Sequence, residues 1–181
     1  PQRGVNAIDA SMDIIREIKS RKFYYTKNKY LKRPTINIGT IRGGDKVNIV
    51  ADWCEFELDF RFLPGTEAED LLKTVKDAIK KHTKKFKIEI EGMQKPYSIN
   101  ERHPLVIYLK SSMERLRVKP VLKGSEGATV ITFFQNKNIP AVAFGFGSRG
   151  CAHTRDEYAK INNLFKGAHV LVDFLRTYQF Q

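Results

Sequence analysis

The segment SRGCAHTRDEY, residues 148–158, sets one histidine, His153, in a loop of small residues, with Asp156 and Glu157 three and four positions later. A neutral imidazole is the commonest protein ligand for a metal. A carboxylate bonded to its second nitrogen fixes the tautomer and the orientation of the ring. His153 is therefore the candidate metal ligand, and Asp156 or Glu157 the group that would orient it. Zinc takes three or more protein ligands. The other histidines are His82, His103 and His169, and no His-x-x-x-His, HExxH or paired-cysteine spacing occurs. Short-range spacing alone does not complete a metal site, and a loop histidine without a role is the plain alternative.

The loop follows AVAFGFG, residues 141–147, an unbroken apolar run of the kind expected of a strand buried on both faces. In open α/β sheets ligands bind beyond the carboxyl ends of strands. Gly145, Gly147 and Gly150 give the loop freedom to bend sharply toward a ligand.

Around this loop the sequence divides near Tyr97. In residues 5–19, Val5, Ile8, Met12, Ile15 and Ile18 fall at three- and four-residue steps, the signature of one helical face. TINIGTIR, residues 35–42, alternates as a strand, and GGDK at 43–46 supplies a turn. In EFELDFRF, residues 55–62, Phe56, Leu58, Phe60 and Phe62 alternate with charges, which predicts a half-buried antiparallel strand. PGTEAED ends it and opens a helix, with Thr66 as its cap and Leu72, Val75 and Ile79 inward. KFKIEIE, residues 85–91, alternates again. Helix, strand, strand, helix, strand becomes the split βαβ pattern if one strand precedes Pro1. Since Pro1 is not a methionine, the numbered chain is expected to begin inside a larger reading frame or after processing.

Beyond Tyr97, a helix is expected over 104–116, a short strand at KPVLKG, a helix over 128–137 and a closing helix over 160–178. The closing helix would turn Ile161, Leu164, Ala168, Leu171 and Leu175 inward. Short strands alternating with helices argue for a parallel sheet covered by helices. The fold class expected is thus mixed α/β and α+β.

The chain has 32 Lys+Arg against 20 Asp+Glu, a net charge of +12. The excess is spread evenly over both halves. The one dense basic run is Lys19–Arg33, interleaved with Tyr24, Tyr25 and Tyr30. Basic and aromatic side chains together bind single strands, but a solvated connector between packed elements is the better reading, and no nucleic-acid partner is expected. Two cysteines, Cys54 and Cys151, make no disulfide framework, no apolar run approaches membrane-span length, and no signal segment opens the chain. A cytoplasmic protein without membrane contact is expected.

Five motifs in order carry a family resemblance: PQRGVNAI, TINIGTIRGGDKVNIVADWCEFELDFRFLPG, GSEGATV, IPAVAFGFG and AHTRDEY. Together they resemble the co-catalytic zinc amidohydrolases, which include aminoacylase, acetylornithine deacetylase, succinyl-diaminopimelate desuccinylase and the carboxypeptidase G type. The resemblance implies that residues 1–97 are a ferredoxin-like lid, or dimerisation, domain lacking its first strand. Residues 98–181 would be the C-terminal part of a parallel-sheet catalytic domain. His153 would be a zinc ligand of a two-zinc site. Asn48 would reach the partner subunit's active site in a homodimer formed through the lid. Arg61 would hold a substrate carboxylate, where its planar fork can pair both oxygens. Gly127 and Thr129 would line the substrate pocket, with Val130 standing where the family usually has an acid or a serine. The remaining metal ligands and the glutamate general base belong to an N-terminal half that this chain does not contain. No catalytic acid or base falls within it, and the 181 residues alone are expected to be inactive. The complete enzyme would hydrolyse the amide of an N-acyl amino acid or small peptide. A dimerisation or binding module without catalysis is the alternative.

Overall fold

The computed structural model describes residues 4–127, 129–148, 150–152 and 154–179. The chain forms two compact units, Pro1–Pro96 with Gly124–Glu126, and Tyr97–Lys123 with Gly127–Gln181.

In the first unit, helix α1 spans Ala7–Ser20. The Asn6 side chain accepts hydrogen bonds from the Ile8 and Asp9 amides at 2.9 and 3.4 Å, satisfying two of the donors that a helix start leaves open. Asn6→Ala should therefore destabilise this unit by about 0.5–2 kcal/mol in urea titration; an unchanged midpoint would show that solvent caps the helix equally well. The buried face is Ser11, Ile14 and Ile18, whereas Val5 and Met12, expected inside, are exposed. Val5 lies before the helix begins. The step Ser11, Ile14, Ile18 has the same three-and-four spacing as the apolar set. A small serine on the inward face lets the helix backbone approach its neighbours.

Strand β1 (Thr35–Gly43) pairs antiparallel with β2 (Cys54–Arg61), from Thr35↔Arg61 to Gly43↔Cys54. Gly39 is the extra residue of a bulge between Ile38 and Thr40. The bulge has a purpose that the sequence parity explains. Ile36 and Ile38 share a face opposite Phe60 and Leu58. Ile41 is an odd number of residues further on, and the inserted Gly39 brings it opposite Phe56. Along β2 the side chains alternate between half-buried and exposed without exception.

Helix α2 spans Ala68–Lys80. Thr66 is not its cap: Glu67 occupies that position without a side-chain bond, and the Thr66 hydroxyl is buried without a partner among the described residues. A cap must precede the first helical residue immediately, and the helix starts one residue later than the acidic run suggests. Ile14, Ile18, Ala78 and Ile79 form the buried cluster, with Phe23, Ile36, Phe56, Leu58, Val75 and Ile88 packed around it. Glu17 ties the two helices, accepting from Arg21 Nε and Lys81 Nζ, each at 2.8 Å. The connector 22–34 carries neither helix nor strand. Phe23 anchors it edge-on to Phe60 at 4.8 Å, and Asn28 accepts from the Tyr30 and Leu31 amides.

Residues 85–91 form no strand ladder. Ile88 reaches the core while Phe86 and Ile90 stay exposed. Alternation reports which face wants burial; a strand also needs a hydrogen-bonding neighbour, and β1 and β2 are the only paired strands among the described residues.

In the second unit, α3 (Pro104–Arg115) packs against α5 (Ile161–Thr177), with a short α4 (Ile131–Gln135) between them in sequence. The His103 ring accepts from the Leu105 amide at 3.2 Å and so caps α3, with Pro104 at its first turn. Arg115 clasps α5, donating from Nε to Asp173 at 3.0 Å and from Nη2 to Asp173, to the Thr177 hydroxyl and to the hydroxyl of fully buried Ser112. Tyr178 meets Tyr108 of α3 edge-on at 5.4 Å. At Gly167 a Cβ would stand 3.2 Å from Phe146 Cδ2, so glycine is what lets the 141–147 segment lie against the helix.

Hydrogen bonds from Arg115, and then from Ser112, hold the Asp173 carboxyl below the usual aspartate range. A carboxyl depressed in the fold stabilises it fully above the unfolded-state pKa and loses that contribution as pH falls through the folded value. Asp173→Asn should thus lower the thermal midpoint near neutrality. The gap to wild type should close as pH falls through the folded pKa; a gap that persists in acid would refute the ion-pair account.

The sequence expectation for α5 is corrected. Val170 is its buried residue, while Ile161, Leu164, Ala168, Leu171 and Leu175 face solvent. Asn162, Lys166, His169, Asp173 and Arg176 form one polar stripe along this helix, and α3 packs where Val170 lies beside Asp173, with Arg115 on that carboxylate, rather than over the widest apolar face. The expected strands at 119–124 and 141–147 are not assigned, and the described residues contain no parallel sheet. An apolar run specifies burial but cannot name a pairing partner.

Candidate functional site

Asn48 lies in the β1–β2 connection, in a turn closed by the Ile49 amide on the Lys46 carbonyl at 3.1 Å. The base of the connection is pinned by the Gly44 amide on the Trp53 carbonyl at 3.2 Å and by Trp53 Nε1 on Asp45 at 3.4 Å. Asn48 is exposed, between Val47 and Ile49, which are exposed as well. The fold therefore displays an amide side chain on a braced tip, available to another surface.

Arg61 ends β2 on its charged face. Its Nε donates to Asp59 at 2.9 Å and Nη1 donates to the Glu126 carbonyl at 2.8 Å. Two of its donor groups are thus fixed in direction while the side chain stays exposed. A guanidinium oriented this way is suited to an incoming carboxylate, because little rotamer freedom remains to be lost. Alternation on β2 marked Arg61 as outward-facing. The carbonyl that steers it, 65 residues away, carried no sequence signal.

Gly127 is exposed and Thr129 half-buried. The Thr129 carbonyl accepts from the Thr132 hydroxyl and amide at 3.1 and 3.4 Å, which fixes the approach to α4. Val130, the departure from the family pattern, is exposed. His153, the candidate ligand, lies outside the described residues. On either side of it, the Cys151 thiol points to the Ser148 and Tyr158 carbonyls, both at 3.3 Å, and the Thr154 hydroxyl donates to the Cys151 carbonyl at 2.6 Å. These bonds draw the ends of the 148–158 loop together. Cys151 is the residue that sequence reading passed over, because a lone cysteine signals nothing by spacing. Of the three loop glycines only Gly150 takes a positive φ, +80°. Asp156 and Glu157 are exposed.

Asn48 and Arg61 belong to the first unit, and Gly127, Thr129, Asp156 and Glu157 to the second. No three His, Cys, Asp or Glu side chains converge as a metal site among the described residues. The described residues alone do not supply the donor set of a zinc site. No helix among them is long and apolar enough to cross a membrane.

Residues 1–87 match the M20 model described as a peptidase dimerisation domain. Over 194 aligned residues the chain is 28% identical to an acetylornithine deacetylase from Vibrio atlanticus, covering 99% of this chain and 49% of that protein. Residues 1–87, just under half of the chain, are thus similar to the dimerisation domain of M20 peptidases. Two solved structures share its fold. One is an aminopeptidase from Bacillus cereus, at TM-score 0.76 and 24% identity over 96% of this chain and 46% of that one. The other is a tripeptidase from Staphylococcus aureus, at TM-score 0.78 and 24% identity over 97% of this chain and 46% of that one. The chain spans about half the length of the relatives it matches. The dimerisation-domain match takes in α1, β1, β2 and α2, and with them both Asn48 and Arg61.

Proposed function

We propose that this chain is part of a zinc-dependent hydrolase of the M20 type that cleaves the amide bond of an N-acyl amino acid or small peptide. The likeness to an acetylornithine deacetylase over 99% of the chain carries this reading. Residues 1–97 serve as the lid and pair two subunits, and residues 98–181 complete a catalytic domain. His153 is one ligand of a zinc site whose other ligands come from sequence outside this chain. Asp156 or Glu157 orients its ring. When bound, zinc polarises the amide carbonyl and activates water.

The chain's own residues bind and orient. Arg61, held by Asp59 and the Glu126 carbonyl, receives the substrate carboxylate. Asn48, on its braced tip, reaches the partner subunit's site and donates to the oxygen that gains charge. Gly127 and Thr129 line the pocket. The protein works in the cytoplasm, on a small amide substrate, with no membrane or nucleic-acid partner. The dimerisation match also favours a second reading, a pairing module without catalysis.

The test supplies the half of a relative that this chain does not match. The chain is assembled with the part of the Vibrio atlanticus enzyme that it does not match, and zinc is added. N-acetylornithine or an N-blocked dipeptide should then be hydrolysed above blank. Arg61→Ala should lower kcat/KM by about 10- to 100-fold, mainly through KM, as expected for a lost charge-assisted pair. An assembled complex that hydrolyses neither substrate overturns the proposal in favour of the pairing module.

A further inference from the structure

Residues 1–97 carry 20 Lys+Arg and 14 Asp+Glu, and the two signs are not mixed along them. Seven of the basic residues fall in 19–33 and five in 80–87, and neither run contains an acid. Outside the two runs the same stretch has eight basic residues against 14 acids. An excess that is even between the halves of the chain is thus, within the first unit, concentrated in two places.

The fold joins those places. Helices α1 and α2 pack on each other, and Glu17 accepts from Arg21 of the first run and Lys81 of the second, each at 2.8 Å. Eleven of the twelve basic residues are exposed, Arg21 being the exception. Two helix ends account for Lys19 and Lys80, whose charges offset the helix dipoles. They do not account for the cations that continue along 22–33 and 84–87. Lys22, Lys27, Lys32, Arg33, Lys84 and Lys85 make no ion pair among the described residues. Like charges held together without partners repel, and an anion relieves that repulsion.

We infer that this basic surface docks an acidic polypeptide segment, whose Asp and Glu carboxylates extend the pairing that Glu17 begins. The inference is independent of the hydrolase reading. The anion already seated there is a carboxylate, taken by a lysine and an arginine at once. Ten of the twelve cations are lysines, point charges without the planar fork that favours phosphate, and Arg21 already directs its fork at Glu17. Stacking of successive bases needs open aromatic faces. Here Phe23 is packed on Phe60 and Tyr30 carries Lys29 over its ring, which leaves Tyr24 and Tyr25. A second copy in two-fold register is a poor occupant, because the surface would meet itself, like charge on like charge.

The full 181-residue chain is titrated with fluorescent deca-glutamate and binding is read by anisotropy. Wild type should bind, and binding should weaken about 10-fold as salt rises from about 0.05 to 0.2 M. Lys22→Gln/Lys84→Gln/Lys85→Gln should weaken it about 10-fold at the lower salt. Lys123→Gln/Lys137→Gln/Lys160→Gln removes the same net charge from exposed positions of the second unit and should stay within about twofold of wild type. A readout on wild type needs no variant to fold. Saturating deca-glutamate should shield the lysines of both runs from acetic anhydride and leave Lys123, Lys137 and Lys160 as reactive as before. No binding at the lower salt, equal loss in the two triple variants, or shielding outside the runs overturns the inference. So does tighter binding of a charge-matched single-stranded oligonucleotide or of phosphatidylserine vesicles, which would make nucleic acid or a lipid surface the occupant. Self-association that the first variant abolishes overturns it as well, in favour of a second copy.

Discussion

Ile18→Ala should lower the unfolding free energy of the first unit by about 2–5 kcal/mol. Ile18 is 0% exposed and sits with Ile14, Ala78 and Ile79, walled by side chains from α1, α2, both strands and the 85–91 segment. Truncation removes three carbons, one methylene and two methyls, from contact and leaves a void that the surroundings fill poorly. Ala78, also 0% exposed, has no side chain to swing inward, and Ile36, Phe56 and Leu58 are held on a hydrogen-bonded ladder. Domains of this size are stable by about 5–15 kcal/mol in all, so the loss is a large share. The reading is a lower urea midpoint at unchanged slope. Met12→Ala, on the exposed side of the same helix, should stay within about 0.5 kcal/mol. A loss below about 1 kcal/mol at Ile18 would mean that the cluster is not the core of this unit.

What sequence could reveal follows from what each pattern physically encodes. The β2 alternation was fully legible, because Phe56, Leu58 and Phe60 against Glu57, Asp59 and Arg61 leave only one way to bury a strand. Helix positions were legible to within a few residues, but their rotation was not. In α1 the inward arc runs through Ser11, a residue that no apolar count includes. In α5 the apolar arc is wider than α3 covers, and the sequence does not tell which edge of that arc α3 takes. The 85–91 and 141–147 runs show the other limit. Their side chains ask for burial, but ladder partners are set by tertiary context. For the site, the outward direction of Arg61 was readable, while its tether to the Glu126 carbonyl spans 65 residues and was not. The family motifs named Asn48, Arg61, Gly127, Thr129 and His153, which periodicity alone treats as ordinary loop or surface residues.

The purified chain, given zinc, should hydrolyse no amide above blank and should bind zinc no better than an isolated imidazole does. A structural or catalytic zinc site gathers three or four ligands, and affinity collapses when they are not held together. Cys54 and Cys151, the sulfur donors of this chain, lie in different units, and no described trio of donors converges. His82 lies just beyond α2, His103 accepts from the Leu105 amide and His169 sits on α5, so none of these three forms a cluster with the others. The remaining carboxylates near His153 are Asp156 and Glu157, both exposed and a few residues along the same loop. One histidine with a carboxylate to orient it is half of a ligand pair, not a site. Equilibrium dialysis should therefore show only weak zinc uptake, unchanged within about twofold by Cys54→Ser. Stoichiometric tight binding, or turnover of an N-acyl amino acid by the chain alone, would mean that residues 1–181 hold a complete metal centre.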